Sequence, residues 1–180
     1  MPYIHTSTLT YPVSEQDIRR EFPSVSFPVP FTPPDGYAWV FPAPHPAYDP
    51  ITHGVREIAP QIANGNYEQR WETYDLPADV IAANQAEAAT RLKESIVTAT
   101  QARLDDFART RNYDGILSVC TYATSTVTKF QTEGQYCVEA RDATWATLYT
   151  MLAEVQAGTR PIPSGYQDIE PELPALTWPT

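Results

Sequence analysis

Three histidines, His5, His45 and His53, are the natural place to look for metal binding or acid–base catalysis. None pairs with another at the three- or four-residue spacing that places two ligands on one helical face. The nearest approach to a ligand set is His45 and His53 flanking Asp49 in a loop, and solvated loop histidines are the expectation there. The two cysteines, Cys120 and Cys137, have no further Cys or His nearby to complete a zinc site. A nucleophilic thiol needs an imidazole partner, and all three histidines lie in the first third of the chain. Buried structural thiols are therefore expected, with a disulfide possible on spacing alone. The seven glycines form no phosphate-binding loop, and no GxSxG turn occurs. Asp105-Asp106 and the pair Asp168 and Glu170 are neighbouring carboxylates by sequence, the usual pattern of a solvated face. The expectation is a chain with no catalytic residue, cofactor site or metal site.

Aromatic side chains are the more informative set. Tyr37, Trp39, Phe41, Tyr48, Tyr67, Trp71 and Tyr74 crowd a short stretch of sequence. Either the chain's own proline loops cover them, or they present a face to a partner, since Tyr and Trp dominate interface anchors. Leu173, Leu176 and Trp178 are apolar residues in an otherwise polar, proline-containing tail, which should pack over its own chain or a neighbour. The residues expected to bind a partner are thus Tyr37, Trp39, Phe41, Trp71, Tyr74, Leu173, Leu176 and Trp178.

The net charge of −10, from 22 acids and 12 bases, opposes binding to nucleic acid or to an anionic membrane. No apolar run approaches the roughly 18 residues of a spanning helix. Met1 to Thr10 has neither a basic nor an apolar region of a secretory signal. Two cysteines in 180 residues suit a protein made in a reducing cytosol.

Proline then shows which elements hold these residues. Of 18 prolines, 12 lie at or before Pro60, Pro77 stands alone, and five lie at or after Pro161. Proline fixes φ and removes a backbone donor, so its clusters exclude regular helix and central strand. Three regions follow: a proline-rich lead with a small antiparallel β-unit over 1–75, a helical region over 76–158, and an extended tail over 159–180. The fold class is α+β.

In the first region, Ser14 and Asp17 are placed to cap a short helix ending near Phe22. Residues 23–34 should be extended, and Pro34-Asp35-Gly36 should turn. Residues 37–41 read as a strand with Tyr37, Trp39 and Phe41 on one face. Asn64-Gly65 marks a hairpin between residues 55–62 and 67–74, with Pro60 at a bulge or sheet edge.

In the second region, Asp75 and Pro77 open a helix free of Gly and Pro from Ala78 to about Arg109. Its apolar stripe is thin (Ile81, Ala88, Leu92, Ile96, Ala99, Leu104, Phe107), so it is a solvated strut or half of a self-associating coil. Asp114 should cap a short helix over 116–123, with a loop at 124–128. A last helix, starting between Lys129 and Glu139, carries Val138, Trp145, Leu148, Leu152 and Val155 on one stripe and stops at Gly158. Pairing with the long helix should bury Trp145, Leu148 and Leu152 against Leu104 and Phe107.

Several blocks carry a resemblance. Gly36-Tyr37-Ala38-Trp39-Val40-Phe41-Pro42, Tyr48-Asp49-Pro50-Ile51-Thr52, Val55-Arg56-Glu57-Ile58-Ala59-Pro60 and Tyr67-Glu68-Gln69-Arg70-Trp71-Glu72-Thr73 succeed one another. This order resembles the N-terminal part of small phage tail-fibre assembly proteins, or tail-fibre chaperones. Tyr113 to Ser118, Glu133 to Tyr136, Ala140 to Trp145 and Leu176 to Pro179 are similar to the C-terminal part of related phage tail proteins. The C-terminal block is longer than in many fibre-assembly proteins, which leaves room for a permanent adaptor between fibre and baseplate. The resemblance implies a non-enzymatic protein with a tail-fibre or baseplate partner, acting in the host cytoplasm during assembly or retained in the virion tail. A phage cell-wall hydrolase is the remaining alternative, and it would need a constellation of reactive groups that these residues do not supply.

Overall fold

A computed structural model describes residues 2–180. The fold is mixed α and β, and the chain forms two compact units, one ending at Gln85 and the other spanning Ala86–Thr180.

The first unit is built on four strands and one short helix: β1 (Tyr3–His5), α1 (Glu15–Glu21), β2 (Tyr37–Phe41), β3 (His53–Ala63) and β4 (Asn66–Asp75). Ser14 caps α1 reciprocally. Its hydroxyl accepts from the Asp17 amide at 3.2 Å, and the Asp17 carboxylate accepts from the Ser14 amide at 3.2 Å. The β3–β4 hairpin closes through Asn64 and Gly65, at φ 51° and 81°. Two consecutive positive φ values are what the tightest hairpin turn requires. The register shifts between Ile58 and Gln61, so Pro60 sits at a bulge. It also sits on an edge, because the strand order is β1-β2-β4-β3.

The sheet is not wholly antiparallel, contrary to the expectation from sequence. β4 lies between β2 and β3, and it pairs with β2 in parallel at Val40–Tyr67 and Phe41–Glu68. Four prolines between β2 and β3 (Pro42, Pro44, Pro46, Pro50) lie in the eleven-residue stretch that separates the strands. That stretch has no regular structure, and the chain crosses over in it before the hairpin forms. A fourth strand also appears where none was expected. β1 is only three residues long and pairs with β2 from Tyr3–Trp39 to His5–Tyr37.

Ile18 of α1 is fully buried against Tyr3 and Val13, and Phe22, Phe27, Phe31, Tyr37 and Trp39 close this small core. The Arg19 guanidinium lies over the rings of Phe27 and Phe31, at 5.2 and 4.9 Å.

α2 (Ala78–Arg109) begins in the first unit and ends in the second. Its first turns are fastened to the 49–52 loop. The Leu76 amide donates to the Thr52 carbonyl at 2.9 Å, and the Asn84 side chain donates to the Ile51 carbonyl at 3.2 Å. The division therefore falls inside the helix, not at its start.

The second unit adds α3 (Ile116–Cys120), a 3-10 turn at Thr121–Thr124, α4 (Thr128–Gln156) and two further 3-10 turns at Tyr166–Asp168 and Glu170–Glu172. α3 is not capped by Asp114. Asp105, reaching from α2, accepts from the Ile116 amide at 2.8 Å. A side chain at Gly115 would place its Cβ 2.7 Å from that carboxylate and displace Asp105 from the Ile116 amide. α4 stops as expected, with Gly158 at φ 71°.

The core of the second unit is Leu104, Ala108, Ile116, Val119 and Cys137, with Trp145 and Phe107 packed against it. Leu148 and Leu152 are only half-buried. The fully covered face of α4 is Glu133, Gly134, Cys137, Ala140, Thr144 and Met151, a stripe of mostly small residues beside the large one expected. Close approach is the reason. A Cβ on Gly134 would sit 2.3 Å from the Ala123 backbone nitrogen and 2.5 Å from the Tyr122 carbonyl carbon. Backbone cannot step aside as a flexible side chain can. Gly134→Ala gains about 1 kcal/mol of helix propensity but incurs an overpacking cost of roughly 1–3 kcal/mol or more. Chemical denaturation should therefore show a net loss of stability of up to about 2 kcal/mol or more, and a raised midpoint would contradict the close approach.

Candidate partner-binding surfaces

The aromatic residues of the β-unit separate onto two faces. Strand register puts Tyr37, Trp39 and Phe41 on one side, together with Glu68 and Tyr74, and puts Val40, Tyr67, Gln69 and Trp71 on the other. Tyr37 and Trp39 belong to the small core under α1. Tyr3 meets Trp39 edge-on at 5.4 Å, and the Tyr37 hydroxyl donates to Glu21. Trp71 is covered by the proline-rich stretch after β2. Its indole N–H donates to the Ala43 carbonyl at 2.9 Å, and the His45 ring packs on it at 4.0 Å. Proline-loop cover is thus what the structure provides for Trp71.

Phe41 and Tyr74 remain 45% and 40% exposed, on the same face of the sheet. Tyr74 lies six positions along β4 from Glu68, the partner of Phe41, about 20 Å at roughly 3.3 Å per residue. Glu68, Arg70 and Glu72 fall between them on that face. Tyr74 is held in place: Arg56 lies over its ring at 5.4 Å, and Gly54 opposite leaves the space that a Cβ, 2.5 Å from the ring, would fill. Arg56 is itself paired with Glu72 at 2.6 Å.

In the second unit, the tail residues expected to bind a partner pack on the chain's own helices. Leu173 is buried, and Leu176 and Trp178 pack against the helical core. Trp178 stacks on Phe107 with centroids 4.3 Å apart and planes 16° from parallel. Tyr113 and Tyr136 flank it, and the Arg111 guanidinium lies 4.8 Å above its ring. The indole N–H donates to Thr110 Oγ1 at 2.8 Å, and the Thr177 amide donates to the Tyr136 hydroxyl at 2.8 Å. Arg103 donates to the Pro174 carbonyl at 2.8 Å.

Beneath this box lies a carboxylate that the sequence reading did not single out. Glu133 is only 2% exposed. One oxygen accepts from Arg111 and the other from the Tyr113 hydroxyl at 2.6 Å. Burial pushes the Glu133 carboxyl up, but the bonds from Tyr113 and Arg111 and the Arg111 charge outweigh it, so the net shift is downward. Tyr113 shifts to about 12, from burial first and Glu133 second. The available signal was spacing: Glu133, Cys137, Ala140 and Thr144 recur at helical intervals on one stripe.

The other reactive groups are dispersed. Cys137 is buried and its thiol is pushed up to about 12, by burial first and by Cys120 second. Burial also raises Cys120. A protonated thiol is a poor nucleophile and metal ligand. His53 lies 3.2 Å from Asp75, and His5 stacks edge-on with Tyr37. Asp168 accepts from the Ser164 amide and hydroxyl, at 2.7 and 2.6 Å. Among the described residues, no three His, Cys, Asp or Glu side chains converge as a metal site. No described helix is long and apolar enough to cross a membrane. Two hydroxyls do meet an imidazole: Ser7 Oγ lies 3.2 Å from His5 Nδ1, and Thr52 Oγ1 lies 2.7 Å from His53 Nδ1.

Glu133 titrates below an ordinary glutamate in the folded chain, so the folded state binds fewer protons. Its stabilisation is present above the unfolded pKa of about 4.3 and is lost as pH falls through the lower folded value. Glu133→Gln should lower stability by about 1–3 kcal/mol at pH 7. The gap to the wild type should shrink as pH is taken from about 6 to about 3 in urea titrations. A gap that stays constant with pH would contradict the ion pair.

No family model matches the chain, and no curated protein and no solved structure matches it.

Proposed function

We propose that this chain is a non-enzymatic accessory protein of a phage tail, which binds a tail fibre or neighbouring tail protein during fibre assembly or attachment. One observation carries the reading: Phe41 and Tyr74 stay exposed on a common sheet face while the thiols, histidines and acids are buried, paired or apart. Aromatic side chains held in place and half in water are typical interface anchors. The order of blocks that resembles tail-fibre assembly proteins supports the identity of the partner. In this reading the proline-rich lead and the extended tail are framing segments, and the polar length of α2 is available for self-association. The site of action is the host cytoplasm. A second role, as a permanent connector of fibre to baseplate, is favoured by the long C-terminal block, whose tail is tied to the helices by Trp178.

The test is capture of the fibre and baseplate proteins of the same phage on immobilised chain. The wild type should retain one of them. Phe41→Ser combined with Tyr74→Ser should weaken retention by at least about tenfold with an unchanged circular dichroism spectrum. Retention of no tail protein, or equal retention by the double variant, would overturn the assignment. Mass spectrometry of purified particles separates the two roles, because a connector is present in stoichiometric amount and an assembly factor is absent.

A further inference from the structure

A line of tilted ring contacts continues outward from the box around Trp178. Tyr113 is 5.7 Å from Tyr122, and Tyr122 is 5.6 Å from Phe130. The last two remain 40% and 38% exposed. They border an open cleft of about 500 Å³ that is also lined by Arg111, Lys129 and Glu133. That size is within the range of sites that hold small molecules or a few residues of peptide.

The charges in this cleft are uneven. Both Glu133 oxygens are occupied, by Arg111 and Tyr113. Lys129 contributes attraction to Glu133 but makes no ion pair among the described residues. The cleft therefore keeps a free cationic group beside two open rings, in a protein of net charge −10. One residue of the cleft, Arg111, also meets the chain's own proline-containing tail. Arg111 lies over Trp178 and donates to the Pro179 carbonyl at 3.4 Å. Aromatic grooves take proline-containing chains because these are extended in advance and lose little entropy on docking.

We infer that the Tyr122–Phe130–Lys129 cleft is a docking site for an acidic, proline-containing extended segment of a partner protein. The rings receive the proline faces, and Lys129 receives a carboxylate. The inference deepens the partner-binding reading by naming the chemistry of the bound segment, and it rests on that reading.

The probe is a blocked peptide of alternating proline and glutamate, titrated into the full-length isotope-labelled chain and followed by amide chemical shifts. Shifts should saturate and centre on Tyr122, Lys129 and Phe130. The proline–lysine counterpart should bind at least about tenfold more weakly, and Lys129→Glu should reverse that preference. Phe130→Ala should weaken both peptides. All three substituted or probed side chains are on the surface, so folding is retained, and dispersion of the remaining amide signals verifies it. The inference is overturned by an absence of saturable shifts, by shifts centred elsewhere, or by equal response to the two peptides. Capture of a tail protein by Lys129→Glu at wild-type strength would remove this cleft as the contact and leave the proposed function standing. Loss of all capture by the wild type, with peptide binding intact, would do the reverse.

Discussion

A buried carboxylate organises the second unit. Glu133 is sealed from water with one oxygen on Arg111 and the other on Tyr113. Leaving that charge unpaired would cost several kcal/mol, so both partners are held where the chain turns from α2 towards α3. Arg111, fixed on one side by Glu133, presents its flat face to Trp178 on the other. The indole thus contacts both the Arg111 cation and the stacked Phe107 ring. Trp178 thus joins Leu173, Leu176 and the bonds at Pro174 and Thr177 in fastening a proline-containing segment with little regular structure to the helices.

Beside Glu133, α4 comes close to the Tyr122–Ala123 backbone, and the small Gly134 permits that approach. The large apolar residues beside the small-residue stripe of α4 stay half-buried, and Leu148 and Leu152 lie outside the central cluster. The first unit uses a different device. Its sheet is too small to bury its aromatics on one face, so Tyr37 and Trp39 go under α1, Trp71 goes under the loop at Ala43 and His45, and Phe41 and Tyr74 are left as surface.

Features with local causes were legible in the sequence. The Ser14–Asp17 cap, the Asn64-Gly65 turn, the bulge at Pro60, the entry of α2 at Pro77 and the stop at Gly158 each depend on a few adjacent residues. Features with distant causes were not. β1 is three residues that become a strand only against residues 37–39, more than thirty positions away. The parallel pairing of β2 with β4 depends on the path of the loop between β2 and β3, which proline content alone does not set. Asp105 was read as part of a solvated carboxylate pair, but it caps a helix eleven positions on. The burial of Glu133 was not legible either, since burial of a charge is visible only once its partners are placed. Of the residues expected to meet a partner, the sequence could identify apolar side chains, but it could not sort those the chain would cover itself from those it would leave open.

Amide hydrogen exchange on Arg111→Met tests most directly whether this buried pair orders the tail. The substitution keeps the length of the side chain and removes the charge that joins Glu133 to Trp178. Exchange in residues 175–180 should accelerate by at least about tenfold, with the β3–β4 hairpin unchanged. Tail exchange at the wild-type rate would show that Trp178 is held without the ion pair, and would contradict the account.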